Sequence, residues 1–188
     1  MELEAKKRAL ADILEGKIVD DSGRVEICIK GSVLGFPMTV EAFRSGFPFG
    51  VTYYIETETE AERQRQNIGT PFRIDIQPRY ARGGILVFLS RLLLFESKGQ
   101  NVGDKKFEGK YISSHNDYET AERFVRYPGV FEGIDNLSQL TSFSELVARA
   151  KYGLVLSQPQ NFASIDIDKT RETIKQMGAL AQILFDAF

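Results

Sequence analysis

The sequence predicts an α+β fold: a single domain in which an antiparallel β-sheet is packed by N- and C-terminal helices. Apolar residues recur at helical spacing at both ends of the chain, and they alternate with polar residues in four segments between residues 24 and 77. The first pattern indicates amphipathic helices and the second indicates half-buried strands. No repeat, low-complexity stretch or linker rich in proline and serine divides the 188 residues, so we expect one domain over residues 1–188.

The N-terminal helix is predicted over residues 1–15. Its apolar stripe consists of Leu3, Leu10, Ile13 and Leu14. Gly16 follows this stripe directly, and a glycine at that place is typical of a helix C-terminus because it adopts the left-handed conformation without strain. Asp20-Asp21-Ser22-Gly23 then predicts a turn into the first strand.

Four half-buried strands are predicted next, with turns between them. Their ranges are 24–30, 36–43, 50–56 and 72–77. The glycines at both ends of Gly31–Gly35 predict the turn between the first two strands. Because the strands follow one another at short intervals, we expect an antiparallel meander with one face on the core.

Two middle segments have no fixed place in this sheet. Residues 58–69 are almost wholly polar, with only Ala61 and Ile68 apolar, so we expect a long loop or a solvated helical excursion there. Residues 85–94 fit both a helical stripe and a short buried strand, and the helix is the preferred interpretation.

Residues 105–113 are predicted to form a strand with Phe107, Gly109 and Tyr111 on one side. A short helix is expected to follow, because Asn116 and Glu119 have the spacing of a capping box.

Pro128-Gly129 is expected to end this short helix. Residues 143–158 then predict a hairpin that turns near Gly153. Ser142 and Glu145 also have capping-box spacing, so a short helix is the competing prediction for this region.

Asp168 is expected to cap the last helix, which runs from Lys169 to the C-terminus. The apolar positions of this helix cover more than half of its circumference, whereas a helix resting on one sheet needs an apolar stripe of only about 100°. Part of the helix must therefore meet the N-terminal helix or a second subunit. The predicted subunit interface consists of Leu180, Ile183 and Ala187.

Residues that commonly carry catalysis and metal binding are scarce, because the chain has one histidine and one cysteine. This scarcity favours a packed module over an enzyme, and no cofactor is predicted. The net charge is −2 and the lysines and arginines are scattered, so no nucleic-acid partner is expected. The single cysteine fits a reducing compartment.

A cytoplasmic location without a membrane span is expected from two further observations. The chain begins with charges of both signs and no apolar segment typical of a signal peptide follows. The longest apolar run, Ile85–Phe95, is interrupted by Ser90 and Arg91 and is shorter than the roughly 20 residues that span a bilayer.

Three stretches together resemble a family of bacterial proteins grouped as a domain of unknown function. They are the strand–turn–strand over Arg24–Val40, the Gly103-Asp104 turn before a strand led by Phe107, and Asp117 opening a helix that a hairpin and a long terminal helix follow. The resemblance covers most of the chain and implies this order of elements and a bacterial setting. It implies no catalytic residue, because the family has no established activity. The polar segment Glu58–Gly69 departs from the family as an insertion.

His115 and Asp117 are the candidate catalytic pair, with His115 as a general base that Asp117 orients. The alternative is that these residues start a helix, with Asn116 as the cap and Asp117 favoured by the helix dipole. The alternative is preferred, because no second histidine or cysteine supports catalysis.

No metal site is predicted. Asp166 and Asp168 would share a face if extended and so could hold a hard cation, but further oxygen ligands at a recognisable spacing are missing.

Arg79, Tyr80 and Arg82 are the candidate ligand-binding residues, because an arginine presents a planar fork to carboxylate or phosphate. The 14 phenylalanines and 7 tyrosines are mostly expected in the core, but on a curved sheet they could also line a cavity for an apolar ligand.

Three functions follow from these features. The leading hypothesis is a non-enzymatic cytosolic module that acts through protein contacts as a homodimer. The alternative is a module that binds a small molecule or lipid in a sheet-walled aromatic cavity, and the third is an enzyme that uses His115.

Overall fold

The structure is a computed structural model that describes residues 2–19, 25–43, 50–56, 72–79, 101–149 and 153–187. Within these ranges, eight strands form one antiparallel sheet and helices from both ends of the chain flank it, which confirms the predicted α+β class. The strands are β1 Lys17–Val19, β2 Val25–Val33, β3 Phe36–Phe43, β4 Val51–Ile55, β5 Arg73–Pro78, β6 Tyr111–His115, β7 Glu145–Arg149 and β8 Gly153–Gln158. The helices are α1 Glu2–Ile13, α2 Lys105–Lys110, α3 Tyr118–Arg126, α4 Val130–Leu140 and α5 Ile167–Ala187.

One face of the sheet forms the floor of the hydrophobic core. A row of directly paired residues crosses six neighbouring strands, and the side chains in it are wholly inaccessible to solvent. The row consists of Ile29, Val40, Tyr53, Leu156, Leu146 and Ile76. The next residue along each strand points to the other face, where Lys30, Thr39 and Tyr54 are paired. Helices α1 and α5 pack on the apolar face, over β2 and, for α5, also over β4 and β8.

The strand order corrects the predicted meander. Strands β2, β3 and β4 are neighbours as expected, but the order of the sheet is β1-β2-β3-β4-β8-β7-β5-β6. The hairpin of β7 and β8 therefore separates β4 from β5. This hairpin is the predicted one at residues 143–158, so the competing short helix is excluded. Strand β1, which pairs with β2 at the edge of the sheet, was not predicted.

Helix α1 ends at Ile13, and the stop differs from the predicted one. Glu15, with φ 47°, adopts the left-handed conformation instead of Gly16. The Gly16 amide then donates to the Ala11 carbonyl at 2.9 Å. Glycine is required at position 16 for another reason, because a Cβ there would lie 2.1 Å from the Lys30 carbonyl oxygen of β2.

The turn predicted over Gly31–Gly35 is shorter in the structure, because β2 continues to Val33 and pairs with Phe36. Only Leu34 and Gly35 remain as a two-residue loop. Both have positive φ angles, 49° and 85°, which is the pattern of a type I′ hairpin turn.

The predicted strand over residues 105–113 is wrong in its first half, where α2 stands. The Asp104 side chain accepts a hydrogen bond from the Phe107 amide at 2.9 Å and so caps this helix. The strand begins only at Tyr111, whose ring centroid lies 5.1 Å from that of Phe107. Alternation of apolar residues over so few positions fits either element, and the cap decides between them.

Two predicted caps are displaced by one or two residues. Asp117, not Asn116, caps α3 by accepting from the Glu119 and Thr120 amides, and the Asn116 side chain instead accepts from the Arg73 amide of β5. Asp166, not Asp168, accepts from the Asp168 and Lys169 amides at the start of α5.

Helix α4 was not predicted. It begins directly after Gly129, whose φ of 87° turns the chain where the preceding helix was expected simply to end. The polar segment at 58–69, the ambiguous segment at 85–94 and the turn predicted at residues 20–23 lie outside the described residues.

Buried tyrosines make the stability of the fold sensitive to alkaline pH. Tyr53 has no exposed surface, and its burial raises the pKa of the hydroxyl from 10.0 to about 12. Between these two values the unfolded chain loses this proton while the folded chain keeps it, so the free energy of unfolding falls as the pH rises.

We expect Tyr53→Phe to make this alkaline loss of stability shallower, by about 2–3 kcal/mol at most, since each pKa unit corresponds to about 1.4 kcal/mol. The variant also loses the 3.3 Å hydrogen bond from Tyr53 to Gln158, which lowers its stability at neutral pH. Urea unfolding measured at about pH 8, 10 and 11 separates the two effects. If the free energy of unfolding falls equally with pH in both proteins, Tyr53 is not the cause of the alkaline loss of stability.

Candidate functional site

An open cleft of about 600 Å³ lies where the ends of β5 and β6 meet α4, the segment leading to β7 and the first turn of α5. We call it the end cleft. Tyr111 and Phe143, both almost completely buried, line its floor. Its polar side chains come from four separate elements or connections. They are Lys110, Asp135, Ser138, Gln139, Thr141, Ser142 and Lys169.

Asp135 is the centre of a polar network in the end cleft. Its Oδ1 atom lies 2.6 Å from the Lys110 ammonium and 3.3 Å from the Tyr111 hydroxyl, which is also 3.2 Å from Ser138 Oγ. The hydrogen bond from Lys110 holds the pKa of the Asp135 carboxyl below its ordinary value. Burial raises the pKa of Tyr111 to about 12. At neutral pH the network therefore holds an ionised carboxylate and a protonated phenol.

Arg79, the first of the predicted ligand-binding residues, lies at the end of β5 and contacts the C-terminus of α2. Its Nε donates to the Glu108 carbonyl at 3.1 Å, and its backbone amide donates to the Lys110 carbonyl at 2.8 Å. A cation at this position complements the partial negative charge of a helix C-terminus. Tyr80 and Arg82 lie outside the described residues.

His115 and Asp117 are close in the chain but serve different contacts. The His115 Nε2 atom is 3.4 Å from the Asn101 carbonyl oxygen, and the ring is 5.9 Å from that of Tyr118. The Asp117 carboxylate accepts from the backbone and hydroxyl of Thr120, and these hydrogen bonds lower its pKa. Asp104, the acid of the Gly103-Asp104 turn, caps α2. The geometry thus gives both acids a capping role.

The predicted interface residues on α5 differ in their surroundings. Leu180 is only 2% exposed, and it packs against Gly133 of α4 so closely that a Cβ on that glycine would lie 2.6 Å from a Leu180 methyl group. Ile183 and Ala187 are half-buried. The wide apolar face of α5 is therefore covered in large part by α4 and α1 of the same chain.

An apolar surface remains on the outer side of α5, where the β2–β3 hairpin meets it. Leu34 is 66% exposed and Phe185 is 58% exposed, and half-buried Phe36 contacts Phe185 edge to face at 6.0 Å between ring centroids. We call these three residues the tip surface. A groove of about 370 Å³ runs beside Leu34, between the end of α1, the hairpin and α5.

Asp166 and Asp168 do not form a metal site with other ligands in the described residues. Over the same parts of the chain, no three histidine, cysteine, aspartate or glutamate side chains are grouped as a metal ion would require. Nor does any helix in the described ranges have the length and apolar character needed to cross a membrane.

Comparison of the chain with protein-family models, with curated proteins and with solved structures finds no match. The resemblance to a bacterial family therefore remains an expectation.

Neither the end cleft nor the tip surface was predicted from the sequence. The end cleft combines Lys110, Asp135 and Lys169, which are far apart in the chain and form no motif. The tip surface did leave a signal in the sequence. Leu34-Gly35 stands between two alternating segments, at a place where Asn-Gly or Asp-Gly is the usual hairpin pair.

Proposed function

We propose that this protein is a non-enzymatic module that acts through protein contacts, that its partner is a second copy of the chain, and that the tip surface forms the contact. One observation carries the proposal: Leu34 is a large apolar residue that is both two-thirds exposed and held at a φ of 49°. The cytoplasmic and bacterial setting expected from the sequence is part of the same proposal.

Leu34 is unfavourable in an isolated chain on two grounds. The left-handed conformation costs a residue with a Cβ about 1–2 kcal/mol. Because its side chain is exposed, the chain also lacks the stabilisation of up to about 1.5–3 kcal/mol that burial of a leucine provides. Asparagine or glycine would avoid both costs at this position. Strained residues of this kind are concentrated at functional sites, and a contact that buries Leu34 would offset the strain.

A second copy suits this surface because it presents a projection and a groove side by side. Leu34 projects next to the groove that Ile13 and Ile174 line. In a two-fold dimer the same patch meets itself, so the projection of each subunit can enter the groove of the other.

The charged residues that line the groove are Glu15, Arg171 and Lys175, and they offer an acidic partner no excess of positive charge. Arg171 lies 3.7 Å from Asp168, and Lys175 lies 2.8 Å from Glu172, so both cations at the groove have acidic neighbours on their own helix. These two residues therefore leave no unbalanced positive charge that would attract an acidic partner.

Leu34→Asn tests the proposal because it should change stability and association in opposite directions. The resulting Asn-Gly pair is the preferred type I′ turn, so we expect the isolated chain to gain about 1 kcal/mol in unfolding free energy. The dimer should dissociate at least about tenfold more readily, because a central apolar contact is lost. Sedimentation equilibrium over a range of concentrations measures the association, and urea unfolding measures the stability.

Ile18→Thr is the matched control. Ile18 is also an exposed apolar residue, at 39%, but it lies on the edge strand β1. The association should be unchanged in this variant. A wild-type chain that is monomeric at all concentrations, or a dimer that Leu34→Asn does not weaken, would contradict the proposal.

A further inference from the structure

We infer that the end cleft is a second functional site, which binds a small hydroxylated anion of the class that includes sugar phosphates and sugar acids. The inference is independent of self-association, because the end cleft and the tip surface share no residue. Its volume of about 600 Å³ lies within the range of small-molecule sites. The chemistry of its walls specifies the ligand class.

Lys169 provides the charge that an anion needs. Its ammonium group makes no ion pair within the described residues, whereas the other lysine of the cleft, Lys110, is 2.6 Å from Asp135. Of the two acids that precede Lys169, Asp168 lies 3.7 Å from Arg171, and Asp166 accepts hydrogen bonds from the amides of residues 168 and 169 as the cap of α5. The charged side chains that line the cleft are two lysines and one aspartate, so they sum to one positive charge.

The opposite wall favours a ligand that donates hydrogen bonds. Asp135 is ionised, and its carboxylate oxygens accept from Lys110 and Gln139. The last turn of α4, whose residues 138–140 line the cleft, adds the carbonyl groups that a helix leaves without intrahelical partners at its C-terminus. Hydroxyl groups of a ligand are suitable donors to such a wall.

The body of the cleft suits a polar ring better than a lipid chain. Its apolar lining is limited to Pro78, Leu140 and the nearly buried rings of Tyr111 and Phe143. Thr141 and Ser142 add hydroxyl groups to the walls of the cleft. A fatty acid would satisfy Lys169 but would offer no hydrogen-bonding group to these hydroxyls, which is costly when water is excluded.

Isothermal titration calorimetry of the full chain with three probes tests the inference. Glucose 6-phosphate and gluconate carry the two kinds of anionic group, and glucose carries the hydroxyl groups alone. We expect saturable binding of at least one anion, at least about tenfold tighter than glucose, because a hydrogen bond to a charged group has that effect. Binding of only one of the two anions would identify phosphate or carboxylate as the recognised group.

Lys169→Gln and Lys175→Gln form a matched pair of variants on the exposed side of the same helix. Lys175 lies outside the end cleft and is paired with Glu172. The first variant should weaken anion binding about tenfold or more, and the second should leave it unchanged. Both residues are exposed, so both variants should fold. If neither anion binds up to about 10 mM, or if Lys169→Gln binds as well as the unaltered chain, the inference is wrong.

Discussion

Gly153→Ala should lower the unfolding free energy by more than about 4 kcal/mol, an effect that few single substitutions reach. Gly153 begins β8 with a φ of 107°, a conformation that alanine rarely adopts. A Cβ there would also lie 1.8 Å from the Ile55 carbonyl oxygen of β4. Both strands stand in the middle of the sheet, so neither backbone can move away without breaking the hydrogen bonds that pair them. Urea unfolding followed by circular dichroism measures the loss.

Gly109→Ala is the control, and its effect should have the opposite sign. Gly109 lies in α2, and apart from its chain neighbours and the backbone of its own helix, a Cβ there would have no heavy atom within 4 Å. Because glycine is a poor helix former, we expect a gain of about 0.5–1 kcal/mol. Equal and small effects for the two variants would contradict the close approach of β8 to β4.

The sequence predicted those elements whose pattern is local. Apolar residues recur at every second position from Phe36 to Ala42, and β3 has the predicted bounds Phe36–Phe43. In the structure Met38, Val40 and Ala42 are buried, while their neighbours along the strand are exposed or half-buried. A period of two over seven residues fits a half-buried strand better than a helix, which is why the prediction succeeded.

The strand order could not be predicted, because pairing between distant strands leaves no local pattern. Ile55, the last residue of β4, pairs with Leu154 of β8, which lies about a hundred residues later in the chain. The prediction joined β4 to β5 because they are consecutive, and consecutive strands are often neighbours. Only the packing of the whole chain decides that a later hairpin is inserted between them.

For α3 and α5 a short polar residue was correctly predicted as the helix cap, but its position was wrong by one or two residues. Both errors have the same cause. At α3 and α5 two polar side chains were available, and the structure uses Asp117 and Asp166. Any short polar residue can cap a helix. The choice depends on where tertiary packing lets the first turn begin, and at α3 Asn116 is occupied by Arg73 of the neighbouring strand.

The candidate sites depend on tertiary packing even more than the helix caps do, so the sequence predicts them less well. His115 and Asp117 are only two positions apart in the sequence, which made them the candidate catalytic pair, yet the structure gives Asp117 a structural hydrogen-bonding role. The end cleft depends on residues separated by 25 to 59 positions, so composition and spacing could not indicate it. Leu34 could have been singled out from the sequence, because the residue preferences of type I′ turns make leucine an unusual choice at that position.

Leu180→Ala should lower the unfolding free energy by about 2–5 kcal/mol, and the loss should not depend on protein concentration. Leu180 is buried between α5 and Gly133 of α4 within one chain, so truncation leaves a cavity that the two helices only partly close. Chemical unfolding at two protein concentrations about a hundredfold apart makes the measurement, because stability that comes from association depends on concentration.

Phe185→Ala on the same helix should show the converse behaviour. Phe185 is 58% exposed and its described ring contact is with Phe36, so the isolated chain should lose only about 1 kcal/mol. If the tip surface joins two copies, this variant should instead weaken association and make the stability less dependent on concentration. A Leu180→Ala variant that folds with unchanged stability but no longer self-associates would place the contact on the predicted interface of α5. The tip surface would then not be the contact between the two copies. The two variants together thus decide which side of α5 meets the second copy.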